Sequence, residues 1–231
     1  MCCQALIDQK TVFLVVSNRT VTVLALLLWF GIPGRGLAQA PADVVQAPSQ
    51  AQYFEVDNDH SSLIFAVSHA GLSYTYGRFE MCSGHVHLKE DPGDSRFSFE
   101  IDVASINTNS RLRDDHLRGV EFFDVKKFPK ISFNSIDVKL VEANQDYVVT
   151  GIMSMHGVER KLEMPISMIG VGKGPMGKTR GGFITKFTLQ RSDFGIDSLP
   201  KAIGDQIAIT FSFEGVLSDP PKEAMSHSTS K

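Results

Sequence analysis

From residue 53 to residue 217 the chain keeps a period of two, with apolar side chains at every second position in almost every segment. Successive strand residues point to opposite faces of a sheet, so this pattern demands strands with one buried and one solvated face. It is cleanest where Phe97, Phe99, Ile101 and Val103 alternate with Ser98, Glu100 and Asp102. Leu63, Phe65, Val67 and His69 share a face in the same way, after a short first strand at 53–56. A strand over 78–88 carries Phe79 and Met81 ahead of a bend at Gly84. Further strands are expected at 131–141, 147–155, 161–171, 183–189 and 207–217. They are separated by Asn144-Gln145, His156-Gly157, the glycine-rich 172–182 and a longer crossing, with Asp91-Pro92-Gly93-Asp94 as an earlier turn.

Eight or nine antiparallel strands joined by tight connections favour a barrel or a sandwich, and only closure removes exposed edges. The predicted fold is therefore all-β with one short helix, either a sandwich or a closed antiparallel barrel of about eight strands. Such a barrel is just wide enough to be filled by its own side chains or to hold one small ligand. Phe65, Phe79, Phe99, Phe133, Phe187 and Phe211 accordingly either fill the lumen or line it, and the pattern leaves both open.

One segment breaks the period. Residues 109–133, NSRLRDDHLRGVEFFDVKKFPKISF, put a dense charged cluster into the β pattern. The spacing predicts a short helix at 111–118, with Asn109 or Ser110 capping its first turn and Arg111/Asp115 and Asp114/Arg118 as pairs four apart. Gly119 ends it, Phe122 and Phe123 form an aromatic foot, and Phe128-Pro129 returns the chain to extended geometry. The segment reads as a plug with an apolar foot and a charged crown. Taken alone, Arg113, Asp114, Asp115 and His116 are equally a solvated helix face.

The ends of the chain have a different character. Lys10 and Arg19 precede the apolar run 21–30, and Gly36-Leu37-Ala38-Gln39-Ala40 follows it, the layout of an export signal cleaved after Ala38. The run is too short to span a bilayer comfortably. Residues 39–52 are mostly Ala, Pro, Gln and Val and read as a disordered linker, which places the folded domain at 53–218 and a disordered tail at 219–231. Cys2 and Cys3 would leave with the signal. Cys82 then remains alone, a small buried hydrophobe in a strand and no partner for a disulfide. A formal net charge of −3 with no basic stripe argues against a nucleic-acid partner, since such a surface gains nothing from counterion release.

A set of motifs in fixed order carries a family resemblance. Asp59-His60-Ser61-Ser62 leads into Phe65-Ala66-Val67-Ser68-His69. Gly77-Arg78-Phe79 follows, then Asn107-Thr108 with Arg113-Asp114-Asp115-His116-Leu117, then Phe122-Phe123-Asp124 with Phe128-Pro129-Lys130-Ile131-Ser132-Phe133. Gly151, His156-Gly157, Arg191-Ser192-Asp193-Phe194-Gly195 and Ile203-Gly204-Asp205 continue the series. Together they resemble the YceI-like family of polyisoprenoid-binding proteins over residues 53–217. The resemblance implies a lipocalin-like barrel with a helical segment, exported in many bacteria, that encloses a long isoprenoid or related lipid, with no established catalysis. His85-Val86-His87 and Met81-Cys82 depart from the family pattern.

On this reading Phe65, Val67, His69, Phe79, Phe99, Ile101, Phe122, Phe123, Phe133 and Phe187 wall the ligand. Arg113, Asp114, His116 and Arg191 stand at its mouth, arginine being suited to phosphate or carboxylate. The structural alternative pairs Arg113 or Arg191 with Asp114 or Asp193 to pin the helix on the barrel. No cofactor is expected beyond bound lipid, no nucleic acid, and transient membrane contact or a homodimer is compatible with the reading. A second class of function is a metal carrier or metal-dependent enzyme. His85 and His87 lie two apart on a strand, so both rings face one side, with His60 and His69 as further ligands if the fold brings them near. Neither a Gly-x-Ser-x-Gly turn nor a glycine-rich strand-to-helix loop is present.

Overall fold

The computed structural model describes residues 50–141 and 146–221. The expected export signal at 1–38 with Cys2 and Cys3, the expected linker up to residue 49, the expected Asn144-Gln145 turn and the expected tail beyond 221 lie outside the described residues. Within them are ten strands and one α-helix. In order they are β1 (Gln52–His69), β2 (Ser73–Phe79), β3 (Cys82–Leu88), β4 (Arg96–Asp102), β5 (Ile106–Asn107), α1 (Arg111–Leu117), β6 (Lys130–Val141), β7 (Asp146–Met155), β8 (Val158–Lys173), β9 (Thr179–Gln190) and β10 (Ile203–Ser218). All pairings are antiparallel. The chain of neighbours β1-β3-β4-β6-β7-β8-β9-β10 returns to β1, so eight strands close a barrel and no edge of that ring is left open.

β1 runs the length of the barrel, where sequence periodicity predicts two strands. Its β10 register shifts between Asp57 and Ser62, the polar stretch that looked like a connection. Its other edge changes partner there: Gln52 to Glu55 pair with β3, and Leu63 to His69 pair with β2. Similarly, the strand expected over 78–88 is two strands on one edge of β1, interrupted at Glu80-Met81. Asn58 bridges the interruption, donating to the Glu80 carbonyl at 3.1 Å and accepting from the Cys82 N–H at 2.7 Å.

Beyond that interruption β3 pairs with β4, whereas β2 meets only the two-residue β5. The wall is split on this side. Residues 103–129, running from β4 to its own neighbour β6, carry β5 and α1 and occupy the split, with the Val103 N–H donating to the Pro129 carbonyl at 3.0 Å.

The core divides along the barrel axis. In one half Phe54, Val86, Phe97, Val149, Ile166, Phe183 and Phe213 are buried completely, with Phe183 and Phe213 stacked at 5.0 Å and Phe54 edge-on to Phe183 at 5.7 Å. That half is solid, and the termini of the domain close it, with Tyr53 paired to Ser218. Phe99 and Phe211 form the next layer, 5.1 and 4.7 Å from the Phe213 ring. Above them the barrel is hollow.

Candidate ligand-binding cavity

The hollow half encloses a cavity of about 400 Å³, within the range that holds small ligands. Its floor is Phe99 and Phe211, and its walls include Phe65, Val67, Phe79, Ile101, Phe187, Ile207 and Ile209. The close approach of Phe65 depends on Gly77, its direct cross-strand partner. A Cβ there would lie 2.3 Å from the Phe65 ring and 2.8 Å from Thr108 Cγ2. Met153, Met155 and Met164, from β7 and β8, line the opposite wall, and their unbranched side chains adapt to irregular shapes.

The ionisable lining groups are Arg113 and His116 from α1, Arg191, and His69 at the end of β1, all at the end reached by the split and its plug. α1 is seven residues long and Ser110 stands at its N-cap without a side-chain bond. The Asn109 or Ser110 cap is thus corrected. What anchors the helix is buried Asp114, whose Oδ1 accepts from the Thr108 N–H at 2.8 Å and the Thr108 hydroxyl at 2.5 Å. Arg113 donates from Nε to Thr108 Oγ1 at 2.7 Å and from Nη2 to the Thr108 carbonyl at 2.6 Å. Arg113 and Asp114 therefore meet through Thr108 and form no direct pair.

The expected Asp114/Arg118 pair is corrected as well. Arg118 bridges the Asp115 carboxylate at 3.1 Å and the carbonyls of Ala104 and Ile106, so it fastens the helix to β5 and the turn before it. Arg111 stands 3.9 Å from Asp115, as its spacing predicts, but both are exposed and the contact contributes little.

Arg191 does not pair with Asp193 either. Buried under the rim, it donates to the carbonyls of Ile196, Ile203 and Gly204 at 2.8 to 3.1 Å. It holds the crossing between β9 and β10 against the barrel. Ser192 donates from its N–H and hydroxyl to Asp205, which holds the Asp205 carboxyl below the usual range. His156 completes the rim: its positive φ of 52° and that of Gly157 at 76° form the two-residue β7–β8 turn. Its ring packs edge-on against Phe128 at 4.8 Å, and its Nδ1 lies 3.1 Å from the Phe194 carbonyl.

A match to the YceI-like domain covers residues 54–215. A UPF0312 protein of Pectobacterium carotovorum is 32% identical over 168 residues, covering 72% of this chain and 86% of the relative. The chain belongs to the YceI family. A UPF0312 protein of Vibrio campbellii is 34% identical over 162 residues, 70% of this chain and 85% of its own. Among solved structures, Burkholderia cenocepacia BcnA aligns with a TM-score of 0.61 at 23% identity, over 69% of this chain and 98% of BcnA. A polyisoprenoid binding domain from Saccharophagus degradans, implicated in plant cell wall breakdown, aligns at 0.57 and 16% identity, over 72% and 98%. At those identities both show a shared fold.

In this YceI barrel every residue expected to wall or cap the ligand lines the cavity except Asp114 and Phe133. Asp114 turns its carboxylate into the Thr108 anchor. Phe133 is buried in the wall itself, stacked on Phe99 at 6.5 Å, over Gly151, where a Cβ would lie 2.3 Å from its ring. Sequence reasoning passed over the three methionines, although Met153 and Met155 alternate on one face of β7 and signal an inward surface. It also passed over Leu199, whose φ of 53° places it on the rim.

The histidines are scattered. His85 and His87 flank the Tyr53 ring on the outer face, with centroids at 5.2 and 5.7 Å. Burial lowers the pKa of both, and neighbouring Lys89, His85 and Arg96 lower His87 further. His60 instead lies beside Asp57 and Arg180, and His69 lines the cavity. Among the described residues no three His, Cys, Asp or Glu side chains come together as metal ligands. Cys82 is buried in β3, and burial pushes its thiol up, away from the reactive thiolate.

Proposed function

We propose that this YceI protein is an exported binding protein that encloses an isoprenoid or similar long-chain lipid in its barrel, for carriage, storage or sequestration. The observation that carries the reading is the asymmetry of the cavity: aromatic, aliphatic and Met side chains over most of its wall, ionisable groups at one end only. Each methylene moved from water into such a lumen contributes about 0.8 kcal/mol, enough over a few isoprene units to offset immobilising the chain. A polar headgroup then stays at the mouth. Arg113 spends Nε and one Nη2 hydrogen on Thr108, and its Nη1 group is the natural donor to a phosphate or carboxylate. Arg191 contributes its alkyl stem to the lining and commits its guanidinium to backbone carbonyls. Support also comes from the polyisoprenoid-binding description of the Saccharophagus degradans domain of the same fold. The reading makes the protein a binder rather than an enzyme and requires no cofactor.

Organic extraction of the purified protein followed by mass spectrometry tests the proposal, with a stoichiometric long-chain lipid as the expected result and none as its refutation. The export half of the reading rests on the apolar run at 21–30 and the small residues behind it. N-terminal sequencing should find a mature chain starting near Gln39, leaving the barrel at 53–218 as its folded domain.

A further inference from the structure

We propose that the rim of the cavity mouth docks on a lipid bilayer by inserting four separate apolar side chains; the inference rests on the lipid-binding reading. Leu72 in the β1–β2 turn, Leu112 on α1, Val120 after α1 and Leu199 in the β9–β10 crossing are 88%, 84%, 77% and 52% exposed. Each belongs to a segment that supplies cavity-lining residues: His69 and Thr75 flank Leu72, Arg113 follows Leu112, Phe122 follows Val120, and Leu199 itself lines the opening. Two of these segments, the β1–β2 turn and the β9–β10 crossing, are tied together, since the Ala70 N–H donates to the Ala202 carbonyl at 2.7 Å. The four side chains therefore stand on the segments that line the cavity mouth.

The occupant follows from how these residues are spaced. A protein partner needs a contiguous complementary patch, whereas single apolar prongs on separate loops, set among charges, suit a fluid surface that closes around each one. Charge does not drive the contact, because exposed Lys126, Lys127 and Lys201 are offset by Glu121, Asp193 and Asp197. The expected surface is consequently a neutral bilayer as readily as an anionic one, with the lysine stems free to snorkel. Tyr74 and Tyr76, 65% and 66% exposed on the outer face of β2 next to the rim, add the amphipathic rings that favour the interface. Docked this way, the cavity opens directly into the membrane and a tail crosses without entering water.

The test is flotation of the purified protein with phosphatidylcholine vesicles, with and without phosphatidylglycerol. The variants are Leu72→Ser/Leu112→Gln/Val120→Ser/Leu199→Asn, and Met176→Gln as a control of equal exposure (85%) between β8 and β9 at the closed end. The fourfold variant should lose vesicle binding by about tenfold or more on both compositions and keep its melting temperature, while Met176→Gln behaves as wild type. No flotation of a lipid-loaded wild type overturns the docking surface and leaves the cavity reading standing. Equal binding by the fourfold variant, or binding confined to anionic vesicles and removed by salt, also overturns it. So does a wild-type dimer in sedimentation that the fourfold substitution dissociates, since a second copy would then cover the rim. Absence of lipid from every preparation, with flotation intact, instead strikes the cavity reading.

Discussion

The carboxylate of Asp114 and the backbone of Thr108, six residues earlier, close a buried loop that fixes the plug helix to β5. A residue that looks like part of a solvated charged face is the anchor of the helix that stops the split barrel wall. Asp114→Ala should leave the Thr108 N–H and hydroxyl without an acceptor at a cost of about 1 to 3 kcal/mol. Thermal unfolding should fall by about 2 to 4 °C per kcal/mol. Lipid content should fall with it, because Arg113 loses the Thr108 position it depends on.

Arg191 makes a parallel case on the other side of the mouth. A lysine keeps the charge but cannot span three carbonyls on different residues. Arg191→Lys should cost about 2 to 4 kcal/mol in denaturant unfolding. Hydrogen exchange should rise first over 196–204, the segment those carbonyls hold.

The two halves of the barrel should respond oppositely to added bulk. Val67 lines the cavity, whereas Val138 is buried in the solid half. Val67→Phe should shorten or abolish bound lipid with little change in the melting temperature of delipidated protein. Val138→Phe should leave lipid length unchanged and lose about 1 to 3 kcal/mol of stability to strain. Mass spectrometry and calorimetry on the same preparations read both.

Acid should act through the cluster at the β1 register break. The Arg180 guanidinium beside Asp57 holds its carboxyl below the usual range against the opposing effect of burial, with His60 and the Asp59 N–H adding to it. A carboxyl whose pKa is lower in the folded state contributes stability that is present above its unfolded value of about 3.9. That contribution is lost as pH falls through the folded value. Asp57→Asn should therefore lower the melting temperature at neutral pH and flatten its decline below about pH 4, as a series of melts across that range would show.

Strand positions were legible because alternation reports which residues face inward, while barrel closure was expected from the ordered motifs that resemble the YceI-like family. Alternation does not report which inward side chain its neighbours cover: Phe133 and Phe99 are direct cross-strand partners, yet Phe133 packs over Gly151 away from the cavity while Phe99 forms its floor. Nor does it report a strand that changes partners. The polar run at Asn58 to Ser61 falls between two predicted strands, but its Asn58 side chain replaces the backbone bonds missing where β2 gives way to β3. At the mouth, the residues that matter were visible as a charged cluster. Their roles were not, since Asp114 and Arg191 bond to groups five to thirteen residues away that only the folded turns bring near.

Tyr53 and Ser218 are paired across β1 and β10, which puts their Cα atoms roughly 5 Å apart, at the end of the barrel away from the opening. A reporter or affinity tag joined at either boundary of the domain would leave the lipid entrance unobstructed. A short peptide joining the two boundaries would turn the chain into a circle without disturbing the ring, so the domain could be recut at a rim loop such as 70–72 and still close.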